Sequence, residues 1–174
     1  MYYIFNDLER RNKCIGDFMN KTNAMRQLDK AGIEYEQIEY EVDENDLSGM
    51  HIAEQTGLDP NLMFKTLVAR GEKNGPLVFC IPVNAELDLK KCAKAAGDKR
   101  VELIAVKELL GLTGYIRGGC SPIGMKKKFP TFIDETAILF DKITVSAGVR
   151  GCQLMLDREK LIDFIDAKVC DLIV

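Results

Sequence analysis

Three stretches of this sequence combine residue types and spacings that could do chemistry. Lys65 sits in Phe64-Lys65-Thr66-Leu67-Val68-Ala69, where a period of two puts it on one strand face with Leu67 and Ala69. A lysine among apolar neighbours is costly without an anionic partner or a route to water, so it reads either as a pocket cation or as an edge-strand lysine in solvent. Gly118-Gly119, followed by Cys120-Ser121-Pro122-Ile123-Gly124, could bring backbone N–H groups close to a phosphate or a developing oxyanion, or form a plain turn cluster. It matches neither a P-loop nor a dinucleotide fingerprint. Ser146 and Arg150 frame Ser146-Ala147-Gly148-Val149-Arg150-Gly151, which is either part of a site or a hairpin turn.

Charge is segregated. Residues 34–59 hold nine Asp or Glu and no Lys or Arg, whereas Arg117 to Lys128 holds four basic residues and no acid. Arg117 with Lys126-Lys127-Lys128 is either a solvated loop or a phosphate contact, since the net charge of -3 leaves only local nucleic-acid binding open. His51 is the only histidine and reads as structural, so no Ser-His-Asp set can be assembled. The cysteines Cys14, Cys80, Cys92, Cys120, Cys152 and Cys170 contain no C-x-x-C, which argues against a zinc site and a disulfide framework. Cys80, Cys92 and Cys170 read as small buried hydrophobes.

The elements that must position these residues follow from periodicity and punctuation. Helices are expected after Thr22 (stopped by Gly32), after Ser48 or Gly49 (to Gly57), from Asp59-Pro60, from Asp88 (to Gly97), from Ala105 to Leu110 with a stop at Gly111, and after Asp157. Strands are expected at Tyr35–Val42, Phe64–Ala69, Leu77–Ile81, Val101–Ile104, Thr131–Asp134, Ile143–Ser146 and Cys152–Leu156. Leu77–Ile81 is apolar throughout and should be a central strand covered on both faces. Hairpin-length connections make a doubly wound sheet unlikely and predict an α+β fold, with a mixed, largely antiparallel curved sheet surrounded by helices. The 174 residues, 47 % hydrophobic, suit one core. No apolar run is long enough for a membrane span, and the start lacks a signal-peptide layout, which points to the cytoplasm.

Lys21-Thr22-Asn23-Ala24-Met25, Phe64-Lys65-Thr66-Leu67, Glu86-Leu87-Asp88-Leu89-Lys90-Lys91, Leu112-Thr113-Gly114-Tyr115 with Gly118-Gly119, Ser121-Pro122-Ile123-Gly124, and Ser146-Ala147-Gly148 with Arg150-Gly151 together resemble the YbaK/EbsC family. Its members are free-standing relatives of the prolyl-tRNA synthetase editing domain, many of them Cys-tRNA(Pro) deacylases. The resemblance runs from about Lys21 to the end, so residues 1–20 read as an N-terminal extension and 21–174 as the editing domain. It implies a trans-editing hydrolase without metal or cofactor, acting on the acceptor end of aminoacyl-tRNA, with prolyl-tRNA synthetase as a partner.

By the same resemblance Lys65 is a pocket cation near the terminal adenosine or its phosphate, and the Gly118 and Gly119 N–H groups hold the ester carbonyl. Tyr40, Thr66, Ser146, Arg150 and Gln153 fall in the substrate pocket; the charge segregation adds Arg117, Lys126, Lys127 and Lys128 as expected contacts to tRNA. The thiol of the attached cysteine is proposed in this family to attack its own carbonyl, leaving the enzyme's cysteines as spectators. One departure bears on specificity: Gln153 stands where relatives commonly carry an acid, and an amide cannot compensate an ammonium group. Ala- or Ser-charged tRNA is the alternative substrate, and a non-catalytic tRNA- or synthetase-binding regulatory module is the alternative class.

Overall fold

The structure, a computed structural model, describes residues 20–174. The N-terminal extension expected over residues 1–20 lies, apart from Asn20, outside the described residues, as does Cys14. The chain then forms α1 (Asn23–Ala31), β1 (Tyr35–Glu39), α2 (Gly49–Thr56), β2 (Phe64–Gly71), β3 (Gly75–Pro82), α3 (Leu89–Ala96), β4 (Val101–Leu103), α4 (Val106–Thr113), β5 (Thr131–Asp134), a short 3-10 helix (Glu135–Leu139), β6 (Lys142–Ser146), β7 (Cys152–Asp157), α5 (Arg158–Ile165) and β8 (Ala167–Cys170).

Capping chemistry sets the helix ends. The Thr22 hydroxyl accepts from Met25 N–H at 3.2 Å to start α1, the Asp88 carboxylate accepts from Lys90 and Lys91 N–H to start α3, and Asp157 accepts from Lys160 N–H to start α5. Asp59-Pro60 starts no helix: the Asp59 carboxylate accepts from Asn61 N–H at 2.9 Å, and the chain makes one turn before β2. Helix α4 runs through Gly111 to Thr113 and stops at Gly114 with φ +83°. One interior glycine costs only about 1 kcal/mol, too little to end a helix supported from below.

The strands form a three-stranded antiparallel sheet, β1-β7-β6, and a five-stranded sheet, β4-β2-β3-β5-β8. In the larger sheet β2 is antiparallel to β3 and β4, whereas β3–β5 and β5–β8 are parallel, so the fold is α+β and mixed. The sequence does not announce β8, none of whose four residues is fully buried. The sheets meet at one bridge, Met63 to Thr144.

Strand β3 is central, and its alternating residues enter two different cores. Val78 and Cys80 pack with Met25 and Leu28 of α1 and with Val145 and Leu154 of the smaller sheet. Leu77, Phe79 and Ile81 pack with Cys92 and Ala93 of α3, and Phe79 stacks on Phe132 at 5.2 Å. Cys80 and Cys92 are fully buried, while Cys170 is only partly so.

Asp134, fully buried at the end of β5, ties the sheet to the C-terminal segment. One carboxylate oxygen accepts from Thr136 N–H and hydroxyl at 3.0 and 2.7 Å, and the other accepts from Leu172 N–H at 2.9 Å. Asp134→Ala should therefore lower the unfolding free energy by about 3 kcal/mol, read from the urea midpoint.

Candidate active site

β2 is not the edge strand that would let Lys65 reach free solvent, but its outer edge is covered only in part. β4 pairs with Ala69–Gly71 alone, and β6, although it comes close to β2, is bridged only to Met63 just before it, through Thr144. Between these contacts lies a cavity of about 390 Å³ whose walls include Met63–Val68. Its polar groups include Ser48, Lys65, Thr66, Arg117, Gly118, Ser146 and Gln153, and residues of α2 and α4 with Leu103 give it apolar walls. A larger cavity of about 580 Å³, between Asn84, Glu86, Thr136 and Val174, contains none of the candidate catalytic, substrate or tRNA contacts.

The Lys65 ammonium is half-buried and donates to Val83 O at 3.2 Å. It forms no ion pair among the described residues. Burial holds its pKa below the ordinary lysine value, against an opposing pull from Glu86. A lone desolvated cation on a cavity wall is arranged to receive an anion or a polarised oxygen.

The two glycines of the pair divide. Gly118, at φ +84°, lines the cavity, and its N–H has no hydrogen-bond partner among the described residues. The Gly119 N–H donates to Ile116 O at 3.0 Å, closing a turn, and is not free to hold a carbonyl. Gly119 is needed for packing instead, since a Cβ there would lie 3.0 Å from the Val149 carbonyl carbon and 3.1 Å from Arg150 N.

Arg150 fastens that contact and stands outside the cavity wall. Its Nε donates to Arg117 O at 2.9 Å and its Nη1 to Glu44 Oε2 at 2.8 Å, so it acts as a strut between the glycine loop and the acidic segment before α2. Tyr115, not foreseen from sequence as a site residue, is a second support. Its hydroxyl donates to Ile123 O, and the ring lies where a Gly148 Cβ would come within 2.8 Å. The signal for it was present: a lone tyrosine inside a glycine-rich loop needs glycines opposite to make room.

Ser146 and Gln153 face each other across β6 and β7 in register. The Ser146 hydroxyl accepts from Gly148 N–H at 3.2 Å, and the nearly buried Gln153 amide makes no hydrogen bond among the described residues, leaving it available to a ligand. Tyr40 is not brought to the cavity; it packs beside Ile52, Ala53 and Met63. Lys126, Lys127 and Lys128 are exposed and off the cavity wall, with Lys128 3.4 Å from Asp166. Cys120 does line the cavity, a placement the sequence did not suggest, but burial pushes its thiol up to about 12, as it does that of Cys80. His51 lies outside, 2.8 Å from Gln55 Nε2 and 3.9 Å from Asp43.

Arg150→Met removes both strut bonds and leaves the cavity wall in place. Amide exchange of Gly119, whose N–H closes the turn onto Ile116 O, should accelerate roughly ten- to a hundredfold, measured by hydrogen–deuterium exchange, while global unfolding shifts little.

Residues 50–164 match the family model described as the aminoacyl-tRNA editing domain. Over 152 residues the chain is 47 % identical to an Enterococcus faecalis protein named "Putative Cys-tRNA(Pro)/Cys-tRNA(Cys) deacylase EbsC", covering 87 % of this chain and 93 % of that one. Two solved structures share the fold. One, described as "Crystal structure of a putative trans-editing enzyme for prolyl tRNA synthetase", has a TM-score of 0.74 at 22 % identity over 87 % of this chain and 92 % of that one. The other, hypothetical protein APE2540, has a TM-score of 0.80 at 20 % identity over 88 % and 100 %. The matched stretch includes Lys65, Gly118, Ser146 and Gln153, the groups the fold gathers at one cavity; this chain belongs to the aminoacyl-tRNA editing domain family.

Proposed function

We propose that the chain is a trans-editing deacylase that hydrolyses the ester of mischarged Cys-tRNA(Pro) at the cavity beside β2. The observation that carries this is the convergence there of an unpaired cation, Lys65, and a free backbone donor at Gly118, a pairing suited to a charged acceptor end and an ester oxyanion. The 47 % identity to the Enterococcus faecalis protein supports the same substrate class.

The chemistry asks little of the protein's own nucleophiles. An aminoacyl ester is already activated, so orienting it and stabilising the oxyanion suffices, each well-placed donor being worth roughly a hundred- to a thousandfold. The cavity thiol, Cys120, stays protonated near neutrality. The attacking group is then water or the thiol carried by the substrate. In the second route sulfur bonds to the ester carbonyl carbon, the tRNA oxygen leaves with a proton, and water opens the resulting thiolactone to free cysteine. Lys65 is the candidate to steady the terminal adenosine, with Ser146 and Gln153 as candidate contacts to the aminoacyl group.

Arg117 at the cavity and the exposed Lys126, Lys127 and Lys128 are the candidate contacts to the acceptor stem. One domain this small has little surface for reading acceptor and anticodon together, which makes prolyl-tRNA synthetase the proposed partner for tRNA(Pro) selection. The site of action is the cytoplasm, where aminoacyl-tRNA is made.

Amino acid release from Cys-, Ala-, Ser- and Pro-tRNA(Pro) tests the reading. Cysteine should be released selectively, and Lys65→Ala should lower the rate by at least about a hundredfold with an unchanged circular dichroism spectrum. Equal turnover by the variant would remove Lys65 from the site, release of alanine or serine would reassign the substrate, and inactivity on all four would favour a binding module. Affinity for tRNA should fall as salt rises, and neutralising Arg117, Lys126, Lys127 and Lys128 together should flatten the log–log slope by roughly 2 to 3.

A further inference from the structure

Successive residues of a strand turn their main-chain N–H and C=O toward opposite edges, so the register of β2 shows which backbone groups the cavity receives. Val83 N–H donates to Met63 O at 2.8 Å, so the odd-numbered residues of this stretch face β3. Leu62 O accepts from Thr144 N–H at 3.0 Å and Val68 O accepts from Ile104 N–H at 3.2 Å, so the even-numbered residues face the outer edge. Thr66 lies between those two links. It is level with Cys80 of β3, yet it turns its own N–H and C=O the other way, to an edge where β4 pairs only further along, at Ala69–Gly71, and β6 forms no ladder. That edge is the cavity wall.

The cavity also lacks something. Among its lining residues there is no Asp or Glu, while Lys65 and Arg117 make its field positive. The nearest acid acting on Lys65 is Glu86, which lines the other cavity. An aminoacyl ester brings an amino group into this space, and no carboxylate is there to meet it.

We infer, building on the deacylase reading, that the aminoacyl group docks as a one-residue strand on the free edge at Thr66. Its ester carbonyl accepts from Thr66 N–H and its amino N–H donates to Thr66 C=O, the double exchange of a hydrogen-bonded antiparallel pair. The ester oxygen has a second lone pair, which leaves Gly118 N–H its place. The amino group is read as an N–H donor and not as a charge, so the cavity accepts it unprotonated or acylated. A further substrate class follows: N-blocked aminoacyl esters.

Two measurements decide this. The first compares deacylation of tRNA(Pro) carrying cysteine, N-acetylcysteine or 3-mercaptopropionate, which lacks the amino group. N-acetylation should change kcat/KM by less than about threefold, and loss of the amino group should lower it by about ten- to a hundredfold, because Thr66 C=O is then left unpaired. The second uses 3'-cysteinylamino-3'-deoxyadenosine, an amide that the site should bind without rapid turnover. The Thr66 amide should exchange freely in the unliganded protein and slow by at least about tenfold on saturation.

Thr66→Pro deletes the one N–H. Proline is tolerated where a strand N–H faces an open edge, so this variant should lose binding of the amide with an unchanged circular dichroism spectrum. Turnover of the desamino ester within threefold of the cysteinyl ester, an unprotected Thr66 amide at saturation, or no saturable binding of the amide would each overturn the inference. If tRNA esters are not hydrolysed but the Thr66 amide is protected, the docking stands and the deacylase reading falls.

Discussion

A strand can be hydrogen-bonded along an edge only where a neighbour runs beside it, and β2 has two partial neighbours on its outer edge. β4 covers its far end and β6 touches its near end. The interval between them is the cavity, and Lys65, Gly118, Ser146 and Gln153 are arranged around it. Lys65 is half-buried because it belongs to an internal strand, and among the described residues it has no ion-pair partner, only the Val83 carbonyl. In an ordinary sheet such a gap would be an aggregation hazard. Here α2, α4 and the glycine loop enclose it.

The opposite wall is built on different terms. The segment from Arg117 to Cys120 belongs to no helix or strand, so its position has to come from tertiary ties. Arg150 holds the Arg117 carbonyl from one side, Gly119 packs on the backbone at Val149–Arg150, and Tyr115 stands between Ile123 and Gly148. Glycine serves here as missing volume, allowing two backbones to approach within contact distance, as much as a source of N–H groups. The β6–β7 turn is thereby a support for the loop, and the strands it joins present Ser146 and Gln153 to the same space.

What could be read in advance follows the range of the interactions. The caps at Thr22, Asp88 and Asp157 act over three residues, and the helices they start were legible. Lys65 was legible as an anomaly because its conflict with Leu67 and Ala69 is local. Arg150 was misplaced because its partner, Glu44, is 106 residues away, and no local pattern distinguishes a strut from a ligand contact. Gly119 looked equivalent to Gly118 because only the closing of the turn onto Ile116 O separates them. Strand β8, half exposed and four residues long, is specified by pairing with β5 more than by its own composition.

Burial of Cys80, Cys92, Cys120 and Cys152 has a consequence beyond packing. A pocket that receives a substrate carrying a free sulfhydryl invites thiol–disulfide exchange, whose rate depends on the thiolate fraction and on access to sulfur. Cys120, at the cavity, and Cys80, behind Thr66, are held protonated with values pushed up to about 12. Cys92 and Cys152 are raised likewise, to about 12 and about 11. For the proposed cysteinyl substrate the walls therefore present protonated thiols, the slow form in thiol–disulfide exchange, so the packing that fills the core also disfavours a mixed disulfide at the pocket.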